Sequence, residues 1–103
     1  MKYCMIETAF GNKEELDKVV SELLENKLVA SCQVVESNSK WNWKGKMEAE
    51  KEFLLLMKSK TTLVKKIYQI IKNTHSYDCF EFAIFDLTSS STEYLKWIDE
   101  ETI

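Results

Sequence analysis

The order of apolar and polar residues along the chain switches between two rhythms, and each switch marks an element boundary. Residues 2–8 read as a first strand. Gly11-Asn12 breaks it, and Asn12 followed three positions on by Glu15 is a capping-box signature. Leu16, Val19, Val20, Leu23 and Leu24 then recur at helical spacing, which predicts a helix to about Lys27. Residues 28–36 return to an extended pattern, with Ala30, Cys32 and Val34 on one face and Ser31, Gln33 and Val35 on the other.

The segment SNSKWNWKGK carries turn formers and aromatic residues, and Lys44-Gly45 is the predicted hairpin tip. Residues 47–58 come back as a strand ending in FLLLM. The two arms make one hairpin, each on the order of 40 Å long if about a dozen residues are extended. In SKTTLVKKIYQIIKNT, Ser59 or Thr61 is placed to cap a helix whose apolar stripe is Leu63, Ile67, Ile70 and Ile71. HSYD reads as a loop, residues 79–87 as a strand and SSST as a turn. TEYLKWIDEE reads as a short terminal helix with Tyr94, Leu95 and Trp97 or Ile98 turned inward.

The order β-α-β-β-α-β with right-handed crossovers predicts an α+β, ferredoxin-like sandwich: an antiparallel sheet with both long helices on one face and a short C-terminal helix added. A sheet covered on one side should alternate, yet Phe53-Leu54-Leu55-Leu56-Met57 and Phe82-Ala83-Ile84-Phe85 do not. Both faces of these strands call for burial. Two helices cover one of them, so another copy of the chain is expected on the other.

Composition narrows the function. At 103 residues the chain is one domain, residues 1–103, without repeat or linker. A net charge of −3 is not the basic footprint of a nucleic-acid binder. All 14 basic residues are lysine, which removes arginine clamps for phosphate or carboxylate. The N-terminal MKYCMIETAF has no cleavable apolar run and no segment approaches membrane-spanning length. Cys4, Cys32 and Cys79 are odd in number and lack a C-x-x-C pair, so a cytoplasmic chain with reduced thiols is expected. Nothing points to an organic cofactor.

The candidate chemistry gathers in HSYDCFEF, which holds the single histidine. His75, Tyr77 and Glu81 sit where a loop becomes a strand and can converge at a sheet end. Imidazole and thiolate suit a soft or borderline ion such as copper or zinc. The plainer reading is that His75 closes the helix and Glu81 pairs with a lysine. Cys79 and His75 are the one plausible thiol–base pair, while Cys32 reads as packing. Without a complete acid–base or nucleophile set, an enzyme is not expected. Trp41 and Trp43 share one side of the hairpin and either stack a planar ligand or anchor a subunit contact. The same-fold neighbours are excluded: TAFGNKEE lacks the copper-chaperone cysteines, an acylphosphatase needs an arginine, and FLLLM lacks the polar and basic groups of an RNA-recognition motif.

Read together, the motifs resemble the CutA family of divalent-cation tolerance proteins. KLVASCQVV is similar to that family's LAACVN strand. SKWNWKGKMEAEKEFLLLMKS is similar to its S-x-Y-x-W-x-G-K…E…LLLKT hairpin, matching Ser39, Trp43, Gly45, Lys46, Glu52 and Lys58. HSYDCFEF resembles HPYEVPE, matching His75, Tyr77 and Glu81, and EYLKWI resembles the terminal YLxWI. The resemblance implies a homotrimer with Trp41, Trp43, Phe53 and Leu55 at its interface, and a cleft between subunits lined by Tyr77, Cys79, Trp43 and Lys58. It implies a role in tolerance of copper or other divalent cations. A small-ligand sensing or scaffold role of PII type is the alternative. Ser76 and Phe80 replace the motif's prolines, and Glu7 and Thr74 stand where some relatives carry a cysteine and a second histidine. The metal site implied here is therefore richer in oxygen, built from Glu7, His75 and Glu81.

Overall fold

The computed structural model describes residues 2–103. Its elements are β1 (Tyr3–Phe10), α1 (Lys13–Glu25), β2 (Ser31–Trp43), β3 (Lys46–Lys60), α2 (Val64–Thr74), β4 (Phe82–Asp86) and α3 (Thr92–Glu101), with a short 3-10 turn, Thr61–Leu63, leading into α2. The sheet order is β2-β3-β1-β4 with every neighbouring pair antiparallel. Both βαβ crossovers carry their helices over the same face, which is the ferredoxin-like arrangement expected from the element order.

Side-chain alternation fixes what each face does. Cys4, Ile6 and Phe10 of β1 and Leu55 and Met57 of β3 point to the helices and meet Leu16, Val19 and Leu23 of α1 and Ile67 and Ile71 of α2. Each fully buried aliphatic side chain of this kind contributes about 1.5–3 kcal/mol. On the reverse face, Met5, Leu54, Leu56 and Ala83 are half-buried and Val35 and Phe85 are exposed.

Helix α1 starts as its sequence requires: the Asn12 side chain accepts from the Glu15 amide at 3.1 Å. It ends at Glu25, two residues short of the expected Lys27, in a Schellman closure. Leu28 N–H bonds the Leu23 carbonyl and Lys27 N–H the Leu24 carbonyl, while Lys27 takes φ 55°. The start of α2 differs from expectation. Its N-cap, Leu63, makes no side-chain cap bond. Ser59 instead donates to the Leu28 carbonyl and Thr61 to the Lys2 carbonyl, because strand pairing carries both hydroxyls toward backbone acceptors.

The hairpin arms run through the aromatic segment without a break and turn at Lys44-Gly45, where both residues have positive φ, 48° and 81°. That is the conformation of a type I′ turn, which matches strand twist. Strand β1 pairs with β3 only as far as Phe10↔Phe53. From Ser37↔Glu52 to Trp43↔Lys46 the hairpin is a two-stranded ribbon projecting from the body. The chain spans 44 Å with a radius of gyration of 14.2 Å, above the roughly 13 Å of a compact chain this long.

Helix α3 is capped by Ser91, whose hydroxyl accepts from Tyr94 N–H at 3.2 Å. Ile98, not Trp97, is the buried residue of its stripe, and Trp97 stays 38% exposed. The Tyr3 hydroxyl, on the reverse face of the sheet, donates to Asp99. The terminal helix thus covers the Tyr3 end of that face and leaves the rest open. Its tail is fastened by the Ile103 amide donating to the Lys27 carbonyl at 3.0 Å.

Candidate functional site

The loop after α2 is positioned by its histidine. His75 closes the helix, its amide donating to the Ile71 carbonyl at 2.8 Å, and then turns extended. Its ring lies between Phe10 and Phe80, centroids 4.5 and 4.7 Å away and planes within 17° and 11° of parallel. Nδ1 accepts from the Tyr77 amide at 3.1 Å. The proton therefore sits on Nε2, which donates to the Ala9 carbonyl at 2.7 Å. Ser76 N–H donates to Glu15 Oε1 at 2.6 Å and Thr8 Oγ1 to the Glu81 carbonyl at 2.5 Å, so the loop is pinned at both ends.

Tyr77 then crosses Gly11 and its hydroxyl donates to Glu52 Oε2 at 3.2 Å. Burial, then the charge of and hydrogen bond to Glu52, then Glu50, push the phenol up to about 12. It keeps its proton and stays a donor. Between loop and ribbon lies a cleft of about 620 Å³, lined by Ala9, Trp41, Asn42, Trp43, Glu48, Glu50, Glu52, Tyr77, Asp78, Cys79, Phe80 and Glu81. Five of these are acidic and none is basic. At its edge the Glu81 carboxyl lies beside that of Glu7, close enough for the two to share a proton. Burial of the carboxyl, then proton sharing with Glu7 and the charges of Glu7 and Glu52, push Glu81 up to about 7. The site is an anionic trough with two indoles on one wall.

The family model described as CutA1 divalent ion tolerance protein matches residues 4–101. The chain belongs to the CutA family. It is 33% identical over 98 residues to the divalent-cation tolerance protein CutA of Pyrococcus horikoshii, covering 95% of this chain and 96% of that one. The Thermococcus kodakarensis CutA is likewise 33% identical over 98 residues, covering 95% and 94%. Among solved structures, Pyrococcus horikoshii CutA1 superposes with a TM-score of 0.90 at 31% identity, covering 97% of this chain and 98% of that one. The Archaeoglobus fulgidus protein, named a periplasmic divalent cation tolerance protein, gives 0.91 at 28% identity, covering 96% and 97%.

Set on this CutA fold, the residues singled out by sequence fall into three groups. Glu7 and Glu81 come together, and Tyr77, Cys79, Trp41 and Trp43 line the cleft. His75 stands behind that lining with both ring nitrogens engaged. Among the described residues no three His, Cys, Asp or Glu side chains converge as a metal cage would. Lys58 is outside the cleft, its Nζ donating to Gln33 Oε1 at 3.2 Å. Leu55, expected at a contact between copies, is fully buried in its own core, and Phe53 packs against that core. Strand alternation is the reason: one step of register exchanges faces, and Leu54 and Leu56 are the ones on the open side. The strand expected from residue 79 begins at Phe82, because residues 75–81 are drawn to β1 and to the ribbon. The carboxylate row Glu48, Glu50 and Glu52 was missed; its signal is the period-2 spacing in MEAEKE, which puts all three on one face.

Proposed function

We propose that this CutA-family chain is a non-enzymatic divalent-cation response protein that binds ions weakly in the acidic cleft and works as a homotrimer. The observation that carries this is the lining itself: Glu48, Glu50, Glu52, Asp78 and Glu81 with no cationic side chain among them. Carboxylates that line one cleft raise the local concentration of cations, which suits weak binding without a converged cage. The donor chemistry suits oxygen-preferring divalent ions ahead of copper, which wants nitrogen or sulfur. Cys79 is the one sulfur in the cleft, and the imidazole that would join it is bonded on both sides. The same engagement supports a non-enzymatic reading, since His75 is the natural base for a thiol nucleophile.

The trimer is supported by two features that a lone chain handles poorly. A two-stranded ribbon is marginal in water without a third strand or a packed face, and the open face of the sheet carries Val35, Leu54, Leu56 and Phe85. Among the described residues no helix is long and apolar enough to cross a membrane. The three cysteines stand free, which supports a reducing, cytoplasmic setting.

Calorimetric titration with calcium, manganese and copper chlorides tests the cation reading. Wild type is expected to bind calcium and manganese with Kd on the order of 0.1–1 mM, the weak end of carboxylate sites, and Glu81→Gln to weaken both. Binding of copper alone, unchanged in Glu81→Gln, overturns it. Light scattering at micromolar concentration tests the trimer, with Leu54→Lys expected to yield smaller species. The second reading, a PII-type small-ligand module, draws on the cleft's size and paired indoles, which suit a ligand of several non-hydrogen atoms. The acidic lining requires that ligand to be cationic. A small molecule retained in native mass spectra, with no metal affinity, would favour it.

A further inference from the structure

We infer that His75 is a positioning residue for the cleft, a tautomer-fixed clamp that sets cation affinity through Tyr77 and Glu52 instead of binding the ion. The inference rests on the cation reading above for its affinity consequence and on geometry alone for the clamp. The imidazole touches three of the cleft's lining residues from behind: it stacks on Phe80, donates to the Ala9 carbonyl and accepts from the Tyr77 amide. Its other face rests on Phe10, which is fully buried in the core. The ring thus ties the cleft wall to the buried core.

A ligand role is inconsistent with this placement. A cation at Nδ1 must displace the Tyr77 amide, and one at Nε2 must displace the Ala9 carbonyl. Either strands a backbone group beside the core without its partner. The clamp works at a distance because Tyr77 spans it. Its amide is fixed by the imidazole while its hydroxyl, reaching over Gly11, holds Glu52, a cleft carboxylate only 8% exposed. Loss of the Nδ1 acceptor frees the amide end, and the grip on Glu52 goes with it. No other single side chain presents an acceptor and a donor at these two positions on one flat ring. Asparagine reproduces the first and glutamine the second.

The test uses the full-length protein and two readouts. In 15N NMR, the imidazole is expected to show an unprotonated Nδ1 and a protonated Nε2 that stay so as calcium or zinc chloride is added. Loss of the Nε2 proton or direct coordination of Nδ1 overturns the inference. In calorimetry, His75→Gln and Tyr77→Phe are each expected to weaken calcium binding about three- to tenfold, and the double variant no further than the worse single, as for two residues acting through one path. His75→Asn, which keeps the acceptor, recovers most of the affinity. Additive losses, or full affinity in His75→Gln, overturn the inference. If wild type binds no cation, the cation reading fails, and amide hydrogen exchange then judges the clamp. Exchange at Tyr77 is expected to speed at least about tenfold in His75→Gln while Met57 in the core is unchanged. Equal exchange rates at Tyr77 would refute it.

Discussion

Tyr77 and Glu52 lie 25 positions apart and meet at 3.2 Å, joining the loop after α2 to the root of the ribbon. Tyr77→Phe removes the donor and leaves a mostly buried carboxylate short of a partner. We expect a loss of about 1–2 kcal/mol in urea unfolding, with Glu52→Gln, which keeps an acceptor, closer to wild type. Equal stability of wild type and Tyr77→Phe would show that water replaces the bond.

Gly11 is small for a steric reason and not for its backbone freedom. A methyl group there would collide with the Tyr77 hydroxyl and come within 3.3 Å of its Cζ. Gly11→Ala should therefore lift Tyr77 from Glu52 and destabilise by about 1–3 kcal/mol, as overpacking does. A second substitution, Tyr77→Phe, is expected to recover part of that loss, which a thermal melt of the pair would reveal.

The Glu81 carboxyl gives a pH signature with a definite sign. Its folded value of about 7 lies above its ordinary 4.5, from burial first and then Glu7 and Glu52. The folded state therefore holds a proton that the unfolded chain gives up. The contribution is complete below 4.5 and is lost as pH rises through 7. Glu81 stands exposed as a residue, so screening holds the effect to about 1 kcal/mol or less. Unfolding between about pH 5 and pH 8 should show wild type losing stability relative to Glu81→Gln. Parallel profiles would remove Glu81 as the titrating group.

Two lysines occupy left-handed backbone, Lys27 at the end of α1 and Lys44 in the ribbon turn. A side chain there costs about 1–2 kcal/mol relative to glycine. Lys27→Gly is expected to raise stability by about 1 kcal/mol, and Lys44→Asn by a smaller amount. Chemical denaturation with an unchanged m-value is the check. A loss of stability in Lys27→Gly would mean that the glycine gains more freedom in the unfolded chain than it saves in the fold.

The element order, the hairpin tip and the helix start at Asn12 were legible because each is written in residues a few positions apart. Periodicity placed Ile67 and Ile71 in the core, and the spacing in HSYDCFEF put Tyr77 and Glu81 at one sheet end. What escaped was set by contacts between distant segments. The late start of β4 follows from Thr8 holding the Glu81 carbonyl and from His75 seated on Phe10, contacts 73 and 66 positions long in the first case and for the histidine's bond to Ala9. The partner of each imidazole nitrogen is a backbone atom, and no residue pattern advertises a carbonyl. Leu55 and Leu54 are chemically identical neighbours, and only the register Thr8↔Leu55 tells which one faces the helices.

The two walls of the cleft differ in stiffness. The loop wall is bolted to the core by His75, but the indole-bearing wall is a pair of strands with no third strand beside it among the described residues. Ribbons of that width flex and coil more than broad sheets do. In a lone chain the gap can therefore change width without any bond in the core being broken. On the cation reading proposed above, a rigid cage would select one radius, whereas a mouth with one springy lip accepts a range.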